Sequence, residues 1–144
     1  MNLNEQRDKI HATAKKKGFY EAERNVMTNQ QMDDNSKNAI KHAFFAQKIA
    51  LIHSELSEAL EADRVEHYFD SNLHTNWGEY LEMKDEKFNN VFEDYVKNTV
   101  QDELADVIIR VLDLCGWLEI DIEKHIEMKM RHNELRKFKH GKNY

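Results

Sequence analysis

The sequence predicts an all-α protein with a four-helix-bundle-like core of long antiparallel helices, and three observations carry that prediction. Glycine occurs four times and proline not at all in 144 residues, where average usage would supply about ten and about seven. A sandwich or barrel of this length needs turn residues far more often. Two segments repeat apolar residues at spacings of three and four, the period of one helix face, and nothing reads as a strand. The length fits one domain spanning residues 1–144, and 40% apolar residues can supply its core.

The elements follow in order. Asn4 to Lys17 read as a short, modestly amphipathic helix closed by Gly18, the residue a helix C-terminus favours. Asn25 to Asn35 is polar and rich in Asn and Gln, which marks a loop. Ser36 is the expected N-cap of a long helix on which Phe45, Ile49, Ile52, Leu56 and Leu60 form the core stripe. Between Glu66 and Asp85 the pattern breaks, so an irregular or short-helical excursion is expected there. A second long helix is expected to carry Phe92, Val96, Val100, Leu104, Val107, Val111 and Leu114, with Gly116 ending it. A turn over Leu118 to Ile120 then leads to Asp121, the expected N-cap of a last helix bearing Ile122, Ile126 and Met130.

Charge and cysteine content narrow the function classes. The formal net charge of −6 offers no general attraction to nucleic acid or to an anionic membrane. No stretch approaches the ~20 apolar residues of a membrane span, and the first ten residues lack the apolar run of a signal peptide. Cys115 is the single cysteine, so no intrachain disulfide can form, and its apolar surroundings suit a small buried hydrophobe. A cytoplasmic, reducing location is the expectation.

The chemistry-bearing pattern is acidic. With Ile52 as the zero of the first long helix, Glu55 falls at about −60° and Glu58 at about −120°. With Val100 as zero on the second, Glu103 and Asp106 fall at about the same two angles. Two pairs of carboxylates therefore stand at matching offsets from two core stripes, on the border between buried and wet surface. A single pair at this spacing is usually a solvated face; the match between the two best helices is what singles these out. If the helices pack antiparallel, the four carboxylates converge, and repulsion with desolvation makes that costly until a cation enters. Mg²⁺ takes oxygen ligands and bridges to phosphate, so an all-carboxylate set points to it before zinc.

Other metal chemistries fit poorly. A di-iron bundle needs Glu-x-x-His, and none of the eight histidines has Glu three residues before it. Cys115 has no Cys or His at zinc-ligand spacing. Charge is also uneven along the chain: residues 124–144 hold seven basic and two acidic residues. This basic segment is either a solvated helix end that complements the dipole or a phosphate grip, with Lys129, Asn133 and Arg136 as its polar contacts.

The runs LIHSELSEAL (Leu51–Leu60), DELADVII (Asp102–Ile109) and KMRHNELR (Lys129–Arg136), closing on KHGK (Lys139–Lys142), resemble the MazG-like, all-alpha nucleoside triphosphate pyrophosphohydrolases over about residues 40 to 142. That resemblance implies four helices whose carboxylates hold Mg²⁺, with Mn²⁺ as its substitute, and the splitting of a (d)NTP into (d)NMP and pyrophosphate. By position, Glu55, Glu58, Glu103 and Asp106 are then the metal ligands and catalytic carboxylates, and Lys129 and Asn133 bind phosphate or sugar. A ligand carboxylate, or a neighbour such as Glu61, accepts the proton of the attacking water. Arg110 either touches phosphate or pairs with Asp106 at i,i+4 spacing, the pairing being favoured. The expected partner is a small-molecule nucleoside triphosphate, with no nucleic acid and no membrane, and the resemblance implies a homo-oligomer, dimer or tetramer. The sequence departs from the family pattern in two places: Ser54 precedes Glu55 where members often have a second Glu, and the gap from Glu58 to Glu103 is longer than usual. That longer segment carries His67, Tyr68, Trp77 and Tyr80, and with Phe44, Phe45 and Trp117 these aromatics supply candidates for the base pocket. The alternative is a non-catalytic Mg²⁺- or nucleotide-binding helical protein, or an oligomeric adaptor, on the same scaffold.

Overall fold

A computed structural model describes residues 2–71 and 77–136. Among these residues the chain is all-helical, with no strand. No described helix is long and apolar enough to cross a membrane. Two compact units emerge, residues 1–32 with 111–144, and Asp33–Arg110. The expected closing run Lys139–Lys142 lies outside the described residues.

In the first unit, α1 (Leu3–Lys16) is capped by Asn2, whose side chain accepts from the Glu5 N–H at 2.8 Å. Gly18, with φ of +88°, turns the chain after it, as the sequence predicts. A second helix, α2 (Glu21–Thr28), then forms where the sequence reading expects a loop from Asn25. Acidic residues Glu21 and Glu23 open it, favourably placed for the positive end of the helix dipole, and the loop shrinks to the residues around Asn29–Asp33. Lower in the unit, α7 (Ile122–Glu134) starts at Asp121, whose carboxylate accepts from the Lys124 N–H at 3.3 Å. Asp121 also accepts from the Asn4 side chain at 2.8 Å, and Arg7 donates to the Ile120 carbonyl at 2.6 Å. These bonds tie α1 to the start of α7.

The core of this unit gathers Tyr20, Leu112, Leu114 and Cys115 around a buried polar knot. Asp113 accepts from the Tyr20 hydroxyl at 2.7 Å and pairs with His11 Nδ1 at 2.8 Å. The His11 and Tyr20 rings meet edge to face, 4.8 Å apart. Gly116 does not end its helix, which continues through Trp117; the turn is made further on, with Glu119 in the left-handed region at φ 56°. Gly116 serves close approach instead. A Cβ there would lie 2.6 Å from His11 Cβ.

In the second unit, α3 (Asp34–Arg64) runs for 31 residues. Its cap is Asp33 rather than the expected Ser36. The Asp33 carboxylate accepts from the Ser36 N–H at 2.9 Å and from the Ser36 hydroxyl at 2.6 Å, because a carboxylate three residues upstream reaches the orphan donors of the first turn. The expected short-helical excursion appears as α4 (Trp77–Glu82), followed by α5 (Asp85–Val91) and a π-helical turn over Phe92–Val96.

The second long helix is interrupted where the sequence reading expects continuity. After the π-turn the chain passes through Lys97, Asn98 and Thr99 before α6 (Val100–Trp117) begins. Asn98 sits in the left-handed region at φ 60°, a conformation Asn tolerates better than most residues. Thr99 is 1% exposed and donates its hydroxyl to the Val96 carbonyl at 2.7 Å. The apolar residues at 92, 96 and 100 keep a helical spacing whether or not the helix is continuous, so their rhythm cannot reveal the break.

Glu55 on α3 meets Arg110 on α6, while His67 and Phe69, just past the end of α3, bond to Val100 and Gln101 at the start of α6. Sequence number rises along one partner as it falls along the other, so this part of α6 runs antiparallel to the C-terminal half of α3. The face that is packed differs from the expected stripe. Glu55, Ala59 and Ala62 are the buried residues of α3, whereas Leu56 is 44% exposed and Phe45 and Leu60 are also exposed. On α6, Glu103 is buried and Leu104 is 45% exposed.

Candidate metal and anion site

The acidic positions converge within the second unit. One carboxylate oxygen from each of Glu55, Glu58 and Glu103 lies within 4.8 Å of the others. The two residues at the smaller angular offset, Glu55 and Glu103, are 6% and 5% exposed, while Glu58 is exposed and Asp106 half-buried. The helical angles thus order the carboxylates correctly by depth. Asp106, one turn beyond Glu103 and a methylene shorter, lines the same cavity but stands outside the set of three.

The cavity measures about 510 Å³, and all its lining residues belong to the second unit. Beside the four expected carboxylates it is lined by Asp102, by Phe92 of the π-turn, by Lys97 and Asn98 from the break between helices, and by Arg110. Five carboxylates against two cations leave a formal charge of −3 on the lining.

The burden of this charge falls on Glu103. Among the described residues no hydrogen-bond donor reaches its carboxylate, and its charged neighbours are other carboxylates. Burial first, then the charges of Glu58, Asp102, Glu55 and Asp106, hold its pKa above the ordinary range. Asp106 is raised too, by burial and then by Asp102 and Glu55, with Arg110 pulling the other way. Arg110 makes its ion pair across the helices with Glu55, through both Nε and Nη2, rather than with Asp106 along its own helix. The i,i+4 spacing offered Asp106 as partner; the buried Glu55 carboxylate, with more to gain from a cation, takes the bonds.

Glu103 is a buried residue whose carboxylate faces other carboxylates across the cavity, an arrangement that a cation would relieve. The donor set is all oxygen, which suits Mg²⁺ or Mn²⁺. Oxygens bound to one Mg²⁺ stand about 3 to 4 Å apart, so the observed spread requires only a small contraction of long, partly exposed side chains.

Other sequence expectations fare differently. Lys129, Asn133 and Arg136 are exposed residues of the first unit, on α7 or just past it. Glu61 is engaged on the exposed surface by Arg64 and does not line the cavity. Trp117 donates its indole N–H to Glu23 in the first unit. His67 and Tyr68 are also taken: the His67 ring bonds the Asn98 carbonyl at 2.9 Å, and the Tyr68 hydroxyl bonds Asp63. Sequence reasoning missed Phe92, Lys97, Asn98 and Asp102. Phe92 was expected in a core stripe, and the one available signal was the polar triplet Lys97-Asn98-Thr99 between Val96 and Val100. No protein-family model, curated protein or solved structure matches the chain.

Proposed function

We propose that the chain is a MazG-like, Mg²⁺-dependent nucleoside triphosphate pyrophosphohydrolase. The observation that carries this reading is the convergence of Glu55, Glu58 and Glu103, one carboxylate oxygen of each within 4.8 Å of the others, on a cavity that Asp106 also lines. These three would hold the metal, which when bound neutralises phosphate charge and makes a coordinated water more acidic. Asp106, on the cavity wall outside that set, is the carboxylate left to take the proton of the attacking water. Its raised pKa brings it nearer the operating pH, where a general base is most effective. Water attacks the α-phosphorus, the bond from that phosphorus to the bridging oxygen breaks, and pyrophosphate leaves. Arg110 neutralises Glu55 and keeps that carboxylate in place.

The chain also self-associates in this reading. Leu56 and Leu60 on α3 and Leu104, Ile108 and Ile109 on α6 are all exposed, and aliphatic side chains left in water on both helices are the kind of surface that a second copy would cover. The free, buried Cys115 agrees with a cytoplasmic location.

Incubation with single (d)NTPs and Mg²⁺, followed by product identification, tests the activity. Pyrophosphate with the nucleoside monophosphate is expected. Orthophosphate release, or no turnover of any nucleotide, would overturn it, and tight binding of a non-hydrolysable triphosphate without turnover would favour a binding protein instead.

A further inference from the structure

Two cations line the cavity, and they are not equivalent. Arg110 is committed to a buried carboxylate. Among the described residues Lys97 pairs only with Glu93, four residues back, and both side chains are exposed. An exposed i,i+4 pair is worth little, so the ammonium is free to change partner at small cost. Its backbone, by contrast, is fixed. Asn98 donates its N–H to Asp102 at 2.9 Å and gives its carbonyl to the His67 ring, and the Val96 carbonyl is held by Thr99. The π-turn immediately before it is a local distortion of the kind often found at functional sites.

We propose that Lys97 is the polyphosphate-binding residue of this cavity, its ammonium leaving Glu93 for a terminal phosphate of a metal-bound triphosphate. The inference rests on the hydrolase reading above and adds to it the group that grips the substrate, at a position the sequence pattern places inside a continuous helix. The charge balance requires such a group. With a lining of −3, a polyphosphate enters only with divalent cations, and its outer oxygens then face a wall otherwise rich in carboxylates. Among the described residues, Lys97 is the one lining cation not engaged by a buried partner. Nucleoside triphosphate and inorganic tripolyphosphate share the chemistry that Lys97 would recognise, so both serve as probes.

The test compares Lys97→Gln, Lys97→Arg and Glu93→Gln with the full-length wild type. The readouts are KM and kcat for Mg²⁺-dATP, Kd for Mg²⁺-tripolyphosphate by calorimetry, and Mn²⁺ binding without nucleotide. Loss of a charge-assisted contact predicts about a tenfold or greater rise in KM and Kd for Lys97→Gln. In that variant kcat should stay within about twofold and Mn²⁺ binding should not weaken. Lys97→Arg should keep most of the affinity, and Glu93→Gln, which releases the ammonium, should bind as tightly as wild type or tighter. If the two residues form only a structural pair, Lys97→Gln and Glu93→Gln will behave alike, and that result overturns the proposal. Unchanged affinity in Lys97→Gln, in a wild type that binds Mn²⁺ and releases pyrophosphate, overturns it while the hydrolase reading stands. A wild type that binds neither Mn²⁺ nor either polyphosphate overturns both.

Discussion

Replacing Glu103 by Gln should abolish metal binding and at the same time make the protein more stable. The expectation follows from the geometry. At 4.8 Å two carboxylates repel by about 3.5 kcal/mol at an effective dielectric of about 20, and by about 1 kcal/mol in bulk water. Glu58 is exposed and Arg110 offsets Glu55, so the repulsion felt by Glu103 lies toward the lower part of that range. Removing the charge while keeping the shape should gain about 1–2 kcal/mol, which for a chain of this size raises Tm by about 2–6 °C. The pH dependence has a definite sign. The Glu103 carboxyl is held above its ordinary value, so the folded protein binds that proton more tightly than the unfolded one. The contribution of Glu103 to stability is therefore fully present below about 4.3, the unfolded value, and is lost as pH rises through the raised folded value. Asp106, raised as well, adds to the same trend, while Asp33 and Asp121, held below their ordinary values, act in the opposite sense at acid pH. Melting curves followed by circular dichroism, in EDTA and in Mg²⁺ across pH 4 to 8, supply the measurement. Wild type should gain about 1.4 kcal/mol at Mg²⁺ ten times its Kd; Glu103→Gln should start higher, vary less with pH and ignore the metal. A variant that melts at or below wild type in EDTA, or that responds to Mg²⁺ as wild type does, would refute the reasoning.

The remaining predictions concern other joints of the structure. Gly116→Ala should lose about 1–2 kcal/mol in urea unfolding, because the clash with His11 outweighs the helix-propensity gain of about 1 kcal/mol. Asp113→Asn should cost about 1–3 kcal/mol by the same measurement, since both His11 and Tyr20 depend on that carboxylate. Burial and the bond to Asp113 hold the Tyr20 phenol above its ordinary value, so this part of the stability should disappear as pH rises above about 10 and Tyr20→Phe should blunt that alkaline loss. Arg110→Met leaves the Glu55 carboxylate buried without its cation and should cost about 1–3 kcal/mol in EDTA, with Mg²⁺ recovering part of it. Leu104→Glu should shift the protein toward monomer in light scattering; a monomeric wild type at micromolar concentration would refute the self-association reading.

Helix faces were legible in the sequence to the extent that their signal is local. The angular offsets of Glu55, Glu58, Glu103 and Asp106 follow from 3.6 residues per turn, and those offsets survive whatever the helices pack against. The cap at Asp121 was legible for the same reason. Asp33 was missed in favour of Ser36 because both are good capping residues within one turn, and the choice depends on where the preceding loop enters. The helix α2 was hidden by Asn25 and Thr28, weak helix formers in isolation, although acidic residues at its start favour it. The break at Lys97–Thr99 was invisible because Phe92, Val96 and Val100 satisfy the helical period on either side of it. It was also the most consequential omission, since that break supplies Lys97 and Asn98 to the cavity.

If the chain self-associates as proposed, the inverted burial of α3 and α6 links that interface to the acidic site. A chain selected for stability alone would turn Leu56, Leu60, Leu104 and Ile108 inward and leave Glu55 and Glu103 in water. Here the two glutamates are buried and the aliphatic side chains are exposed, so the rotation of these helices serves the carboxylates. Covering a half-exposed Leu or Ile contributes about 1 kcal/mol, and four of them contribute a sum of the same order as the repulsion within the acidic cluster. A second copy lying on that face would therefore offset the cost of holding the carboxylates together before the cation arrives. Metal affinity and oligomeric state should accordingly be coupled: in sedimentation runs with and without Mg²⁺, a Leu104→Glu variant that has become monomeric should also hold the metal more weakly, although Leu104 supplies no ligand to it.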